Sequence, residues 1–435
     1  ATLSSGAFSS SDVTMKKIND YCPHVSELSK RRQPSAIRKL MPLTKQPNMV
    51  SLGGGMPNPS MFPFESLQFG IQSPSDGRSK IISLTPEELQ EALQYSPTPG
   101  IPKFQQQLKE IQKRNHGIDE KYDVTVTCGS QDGQCKAFEM LLNPETDELF
   151  LEDPTYSGAL AFLQPYGVKM TPVATDSMGM IPDAFADALE KSSSGKEKHR
   201  KVLYTIPTAQ NPSGSTLPND RREEIYQLAQ AHDMIIMEDD PYYFLHPHRS
   251  SVTSFLEMDT DGRVIRFDSM SKLISSGIRV GFVTGPTPLM QRLDFHIQAT
   301  NLHNSGISQM LVQKLLDEWG MEGFDQHAQN VADFYTERGQ VMAKAADRYL
   351  TGLAEWTVPE AGMFLWFKFN NISDTKSLIE NKAAKANVLL VPGQSFSPLN
   401  EPSSYARASF STASDEDMDL AMERLAALIQ SEKKD

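Results

Sequence analysis

The chain has 435 residues, 3 of them cysteine, and its 42 Lys and Arg stand against 55 Asp and Glu for a formal charge of −13. That length sets two to three domains at about 100–200 residues each. The acidic balance argues against nucleic acid or anionic lipid as a partner; no apolar run reaches the ~18 residues of a membrane span; and Cys22, Cys128 and Cys135, without CxxC spacing, exclude a disulfide scaffold or a thiolate zinc cluster.

Residues 1–35 differ from the rest and are expected to form an N-terminal arm or extension. Ala1–Ser11 is rich in Ser and Ala, and Lys30-Arg31-Arg32 is a basic triplet. A mitochondrial presequence is basic, Ser-rich and poor in acid, whereas Asp12, Asp20 and Glu27 are acidic. A presequence and a mobile arm both remain open, and the compartment is either mitochondrial or cytoplasmic. Gly53-Gly54-Gly55-Met56-Pro57 is glycine-rich, but Asn58 stands where GxGxxG needs its last glycine, and Pro57 and Pro59 oppose a helix.

From about Val124, β-branched runs alternate with amphipathic ones. Val124–Thr127 is predicted as a strand, and Gly129-Ser130-Gln131 opens a helix to about Leu142. Glu148–Leu151 is a strand and Tyr156–Tyr166 a helix. The polar run 192–200 is a surface loop. Lys201–Ile206 is a strand leading to the loop Asn211-Pro212-Ser213-Gly214. Asn219 is placed as the cap of the next helix. Met234–Met237 is a strand ending in Glu238-Asp239-Asp240, and Val264–Phe267 and Val280–Thr284 are further strands. Alternation of this kind predicts an α/β fold with a mostly parallel central sheet flanked by helices, whose ligands sit beyond the carboxyl ends of the strands. Long helices over about 305–348 lead into a strand-rich stretch at 362–366. A last helix opens on a Ser414…Asp417 capping box and carries Met418, Met422, Leu425 and Ile429 on one face. This end predicts a smaller α+β domain. The resulting division is 65–329 as the large cofactor-binding domain and 36–64 with 330–435 as the small one.

Four features lie at strand ends or loops: Gly129-Ser130-Gln131, Asn211-Pro212-Ser213-Gly214, Asp239-Asp240-Pro241-Tyr242, and Ser269-Met270-Ser271-Lys272 with Arg279 seven residues on. Singly, each is an ordinary turn or a chance match. In order, on strand-end loops, they describe one site. Helix N–H groups at Ser130-Gln131 would hold a phosphate dianion. Arg279 and the hydroxyls of Ser269 and Ser271 would complete the cup. Lys272 could form a Schiff base with an aldehyde, provided the site lowers its ordinary pKa of about 10.4. Asp239 could keep a pyridine nitrogen protonated, making the ring an electron sink. Asn211 and Tyr242 could meet a phenolate oxygen, and Tyr156 could stack on the ring. The set points to a phosphorylated carbonyl cofactor. His246 and His248 flank Pro247 with no third ligand in view; they are expected to be solvated, and no metal is expected.

The stretches SLGGGMPNPSMFPF, ALQYSPTPGIP, CGSQDGQCKAFEM, EDDPYYFL, DGRVIRFDSMSKLISSGIRVGF, GLAEWTVPEAGMFLW and YARASFS carry a resemblance running from about Pro34 to the C-terminus. The chain resembles the fold-type I pyridoxal-phosphate aminotransferases, and within them the kynurenine/2-aminoadipate branch. The resemblance implies that the cofactor is pyridoxal 5'-phosphate, and that Lys272 is the Schiff-base lysine and then the acid/base between Cα and the cofactor C4′. Asp239 would partner the pyridine nitrogen, and Asn211, Tyr242 and Tyr156 would surround the ring. Ser130, Gln131, Ser269, Ser271 and Arg279 would hold the phosphate. Arg407, in Arg407-Ala408-Ser409-Phe410, would grip the substrate α-carboxylate as a bidentate fork, with Asn211 beside it. Arg38 would lie near the substrate side chain, Gly55 and Met56 would line the pocket, and Tyr95 would reach in from a neighbouring subunit. A homodimer with shared sites is therefore implied. One departure is Asn-Pro-Ser-Gly where most members have Asn-Pro-Thr-Gly; the hydroxyl is kept.

The expected reaction is transamination of kynurenine, 2-aminoadipate, or both, with other aromatic amino acids and methionine as further donors and 2-oxoglutarate as acceptor. A cysteine-conjugate β-lyase on the same fold is the alternative. A transcription regulator using the fold as a sensor would need a DNA-binding domain ahead of it, and about 35 residues precede it here.

Overall fold

The computed structural model describes residues 17–432 except 41, 42, 44, 45, 51, 54 and 194–199, and only the backbone of 37, 38 and 193. Near the start, Gln68–Gln72 (β1) and Ser79–Ser83 (β2) form an antiparallel hairpin. The strands that follow are Tyr122–Thr127 (β3), Glu148–Asp153 (β4), Lys169–Asp176 (β5), Gly179–Met180 (β6), Lys201–Thr205 (β7), Ile235–Asp239 (β8), Val264–Ser269 (β9) and Gly281–Pro286 (β10). They make one eight-stranded sheet in the order β3-β10-β9-β8-β7-β4-β5-β6. Strands β5, β4, β7, β8 and β9 run parallel, while β10 is antiparallel to both its neighbours and β6 folds back on β5. The expected mostly parallel sheet is present. The strand expected from Val280 begins one residue later, and its reversal follows from the short Ser271–Val280 connection, which holds no crossover helix.

Strands β7, β8 and β9 are buried almost throughout, as a sheet covered on both faces requires. Phe138, Leu141, Leu163, Met237 and Phe267 pack on one face, and Phe150, Phe185, Leu203 and Phe255 on the other. Ala354–Glu355 (β11), Phe364–Phe369 (β12), Val391–Pro392 (β13) and Tyr405–Ser409 (β14) form a second, antiparallel sheet in the order β11-β12-β14-β13. The helix Gly306–Leu350 breaks its helical geometry at Gly320 (φ +62°) and lies against the last helix, Asp415–Glu432. That last helix buries Met418, Met422, Leu425 and Ile429, the face the sequence predicts.

Three local expectations change. Asn219 is the first residue of its helix rather than the cap: its amide donates to Ser251 O and accepts from Thr253 N, tying the helix start to a neighbouring loop. The helix before β7 runs through Ser193, so the polar run begins inside it, and its remainder, 194–199, lies outside the described residues. His246 is buried rather than solvated. Its Nδ1 accepts the His248 backbone N–H, and burial holds its pKa below the ordinary value.

The strand ends gather an unusual charge. Arg266 on β9 is wholly buried and contacts Glu238 (3.2 Å), Asp240 (3.1 Å) and Asp268 (3.1 Å), with its guanidinium over the Tyr243 ring at 5.0 Å. Gln112 donates to Asp268, Thr208 donates to Asp240, and the backbone N–H groups of Phe255 and Leu256 donate to Glu238. Removing one partner from such a set leaves uncompensated buried charge. Arg266→Met is therefore expected to lower unfolding free energy by about 3–5 kcal/mol, read from urea denaturation; a loss within error would refute the keystone role.

Candidate active site

The loops after β3, β7, β8 and β9 meet at the carboxyl edge of the sheet. Ser130 opens the helix Ser130–Leu141, whose N-cap is Gly129 at φ +80° with no capping side chain. A Cβ at Gly129 would run into the Arg279 guanidinium. A Cβ at Gly281 would lie 2.5 Å from Ser130 N, so β10 passes directly under this turn. Arg279 donates to Ser271 Oγ (3.2 Å), Ser276 O (3.2 Å) and Cys128 O (3.3 Å), and its own backbone is at φ +52°. A non-glycine residue there costs on the order of 1 kcal/mol. Asn304 steadies the turn by donating to Thr127 O and Arg279 O. Ser271 N donates to Ser269 Oγ at 3.2 Å. Ser130, Ser269, Ser271 and Arg279 thus surround a helix N-terminus, a ready anion site. The Gln131 side chain turns elsewhere: it donates to Gly158 O and accepts from the Tyr156 hydroxyl at 3.1 Å.

Asp239 ends β8 and is buried. Its Oδ2 accepts the Tyr204 hydroxyl at 2.7 Å, while Oδ1 has no hydrogen-bond partner. Burial pushes its carboxyl up to about 7, against support from Tyr204 and Gln134. Lys272 follows β9 and is half-buried; burial, then the cations Arg279 and Arg407, pulls its amine below the ordinary lysine value. That is the direction a nucleophilic amine needs.

Arg407 comes from β14 of the second sheet. It donates to Asn211 Oδ1 at 2.8 Å, and its guanidinium lies 4.2 Å from the Phe364 ring centroid and 5.0 Å from that of Phe396. Its Nε is buried without a partner. Asn211 Nδ2 faces the Tyr242 hydroxyl at 3.5 Å. One amide therefore joins an arginine of the antiparallel sheet to a tyrosine of the loop after β8.

The contacts above group Ser130, Ser269, Ser271 and Arg279, join Gln131 to Tyr156, and join Asn211 to Tyr242 and Arg407; the charge of Asp239 acts on both Tyr156 and Tyr242, and those of Arg279 and Arg407 on Lys272. Gly55 and Tyr95 stand outside these contacts. Gly55 is exposed with open space beside it, and Tyr95, 49% exposed, meets only the edge of the His303 ring at 5.9 Å among the aromatic contacts of described residues. Arg38 lies on the helix Ala36–Leu40, and its side chain is outside the described residues. Sequence reasoning missed Tyr204, Gln134, Phe364 and Phe396. Gln134 stood one turn beyond Ser130, a spacing that signals a shared helix face; the other three carry no local signal.

The sequence pattern of the family "Aminotransferase class I and II" matches residues 72–425. The chain belongs to this aminotransferase family. It is 44% identical over 427 residues to the bovine protein named kynurenine/alpha-aminoadipate aminotransferase, mitochondrial, covering 94% of this chain and 99% of that one. Among solved structures, the aminotransferase Aro8 from Candida albicans matches with TM-score 0.86 at 28% identity, covering 96% of this chain and 99% of that one. The kynurenine aminotransferase of Pyrococcus horikoshii, solved with PMP, matches with TM-score 0.75 at 28% identity over 95% and 98% of the two chains. The aminotransferase fold implied by the resemblance is therefore the fold observed.

For an acid whose folded pKa lies above its ordinary ~3.9, the folded state holds an extra proton between the two values. Stability then falls as pH rises through that window. Asp239, raised to about 7, should make the cofactor-free aminotransferase less stable at pH 8 than at pH 5. Asp239→Asn should flatten that slope by more than about 1 kcal/mol, measured by denaturant titration at both pH values; an unchanged slope would place the pH dependence elsewhere.

Proposed function

We propose that this aminotransferase uses pyridoxal 5'-phosphate to move the amino group of 2-aminoadipate and kynurenine to 2-oxoglutarate. One observation carries the reading: two buried polar atoms without partners, Asp239 Oδ1 and Arg407 Nε, on groups whose charges both act on Tyr156 and Tyr242. An unpartnered buried carboxylate oxygen costs about 1–3 kcal/mol unless a ligand donor meets it. The cofactor's pyridine nitrogen is such a donor, and the substrate α-carboxylate is the matching acceptor for Arg407. The glycine-floored cup at Gly129 and Arg279 fits the phosphate, and the lowered Lys272 amine fits the aldehyde. When bound, the cofactor supplies an electron sink for charge left on Cα.

The chain's own residues do the rest. Lys272 would hold the cofactor by its amine, and the same amine would carry the proton between the substrate Cα and the cofactor C4′. Asp239 keeps the ring nitrogen protonated. Tyr156 stacks on the ring, held in place by Gln131, whose backbone N–H joins Ser130, Ser269, Ser271 and Arg279 at the phosphate. Asn211 and Tyr242 meet the phenolate oxygen. Arg407, flanked by Phe364 and Phe396, holds the α-carboxylate, and its low-dielectric surroundings strengthen that pair. Arg38 and Gly55 serve the substrate side chain.

The names of the mammalian relatives support the choice of donors, and their mitochondrial assignment favours that compartment for this chain. No helix of the described residues is long and apolar enough to cross a membrane. A homodimer is part of the same reading: Tyr95, exposed on its own chain, reaches the partner's site. So is the division into a cofactor domain, 65–329, and a small domain, 36–64 with 330–435. No observation favours the cysteine-conjugate lyase.

Arg407→Lys keeps the charge but loses the paired fork, so KM for 2-aminoadipate should rise about 10–100-fold, with a smaller change in kcat; unchanged steady-state kinetics would remove Arg407 from substrate binding. Arg38→Ala should cut 2-aminoadipate turnover, and an intact rate would free Arg38 of that role. The deciding experiment is the visible spectrum of the purified holoenzyme. The band should shift to the pyridoxamine form with excess 2-aminoadipate and return with 2-oxoglutarate, and neither should happen in Lys272→Ala. A protein that binds no pyridoxal phosphate would sink the reading.

A further inference from the structure

We propose that Tyr204 is a positioning residue for this transamination: its hydroxyl fixes Oδ2 of Asp239, leaving Oδ1 for the cofactor's ring nitrogen and keeping the carboxylate charged. The inference rests on the assignment of Asp239 to the pyridine nitrogen.

The strand geometry brings the two together. Tyr204 on β7 is the register partner of Met237 on β8, and Asp239 lies two residues further along the same face. At about 3.3 Å per residue, that offset is roughly the reach of a tyrosine from its Cα to its hydroxyl. The ring is held on its side by Phe138, edge-on at 5.5 Å, and Tyr204 is fully buried. The bond of 2.7 Å is the single hydrogen bond found for this hydroxyl among the described residues. Burial and the neighbouring carboxylate hold the phenol far above its ordinary pKa, so it always donates. A donor locked on one oxygen decides which oxygen is left over. It also favours the ionised carboxylate, because a hydrogen bond to the charged form stabilises that form.

A purely structural tyrosine would affect folding alone. A positioning tyrosine changes the charge of the ring. If Asp239 takes up a proton more readily, it would no longer hold a proton on the ring nitrogen; with that positive charge gone, the Lys272 nitrogen bound to the cofactor would keep its own proton to higher pH.

The test compares wild-type, Tyr204→Phe and Asp239→Asn holoenzymes by thermal melting, pH titration of the visible cofactor band, and kcat and KM for 2-aminoadipate. Tyr204→Phe should melt as a folded protein, move the midpoint of the band to higher pH, lower kcat about 10-fold and leave KM within about twofold. A folded variant with the wild-type midpoint and kcat would overturn the proposal. Should Tyr204→Phe fail to fold, 3-fluorotyrosine placed at 204 alone gives a near-isosteric, stronger donor. It should move the midpoint to lower pH, and no movement would again overturn the proposal. Asp239→Asn separates the two levels. If it loses kcat and raises the midpoint while Tyr204→Phe does neither, only the role of Tyr204 falls. If Asp239→Asn behaves as wild type, the assignment of Asp239 falls with it.

Discussion

Glu238, Asp240 and Asp268 lie buried around one guanidinium, that of Arg266, at the ends of adjoining strands β8 and β9. Three carboxylates cannot be taken out of water together without a cation among them. The Arg266 contacts therefore fix how β8 sits against β9. Asp239 lies between Glu238 and Asp240, so its position is set by its neighbours' partners as much as by its own. Arg222 extends the set: wholly buried, it donates to Leu217 O, Pro207 O and Thr208, and so holds both ends of the loop that carries Asn211. The cofactor side and the substrate side of the site hang from one buried charge network.

Around that network the free protein keeps several costs. Arg279 sits at positive φ, Asp239 leaves an oxygen unpartnered, and Arg407 leaves Nε unpartnered in a buried place. Each is worth on the order of 1–3 kcal/mol. Such costs persist only where the surroundings over-determine them, and they mark where ligand atoms are to be met. The lowered Lys272 amine follows first from its burial and then from the two arginines, which disfavour a third cation beside them.

In the proposed function, substrate recognition is shared between the two sheets. Arg407 belongs to the antiparallel sheet and Asn211 to the edge of the parallel one, and their 2.8 Å bond joins residues 196 apart in sequence. Phe364, on β12, lies edge-on to Tyr242 of the loop after β8 at 6.0 Å and under the Arg407 guanidinium. A displacement of one sheet against the other would move the carboxylate fork relative to the ring site. The close approach of Gly214 to Pro359 and Phe364 O, where a Cβ would sit at 3.0 and 3.1 Å, holds the two in contact.

By itself the sequence determined β3, β4, β7, β8, β9 and β10, their order along the chain and the residues at their ends, but not β5, β6 or the β1–β2 hairpin. Burial on both faces writes an apolar run, and a loop with a chemical task writes polar residues just after it. Lys272, Asp239, Asn211, Arg279 and Ser130 were legible for that reason, and Arg407 through family resemblance. Local spacing could not show that Asn219 would turn its amide to a neighbouring loop, that β10 would reverse, or that His246 would be buried. Nor could it show that Tyr204 would meet Asp239 from the adjacent strand, or that Phe364 and Phe396 would flank Arg407. Each of these depends on which segments lie side by side after folding, and the free energy of such contacts arises only when distant parts of the chain exclude water together. The tertiary structure alone decided which oxygen of Asp239 is spoken for and which is left free.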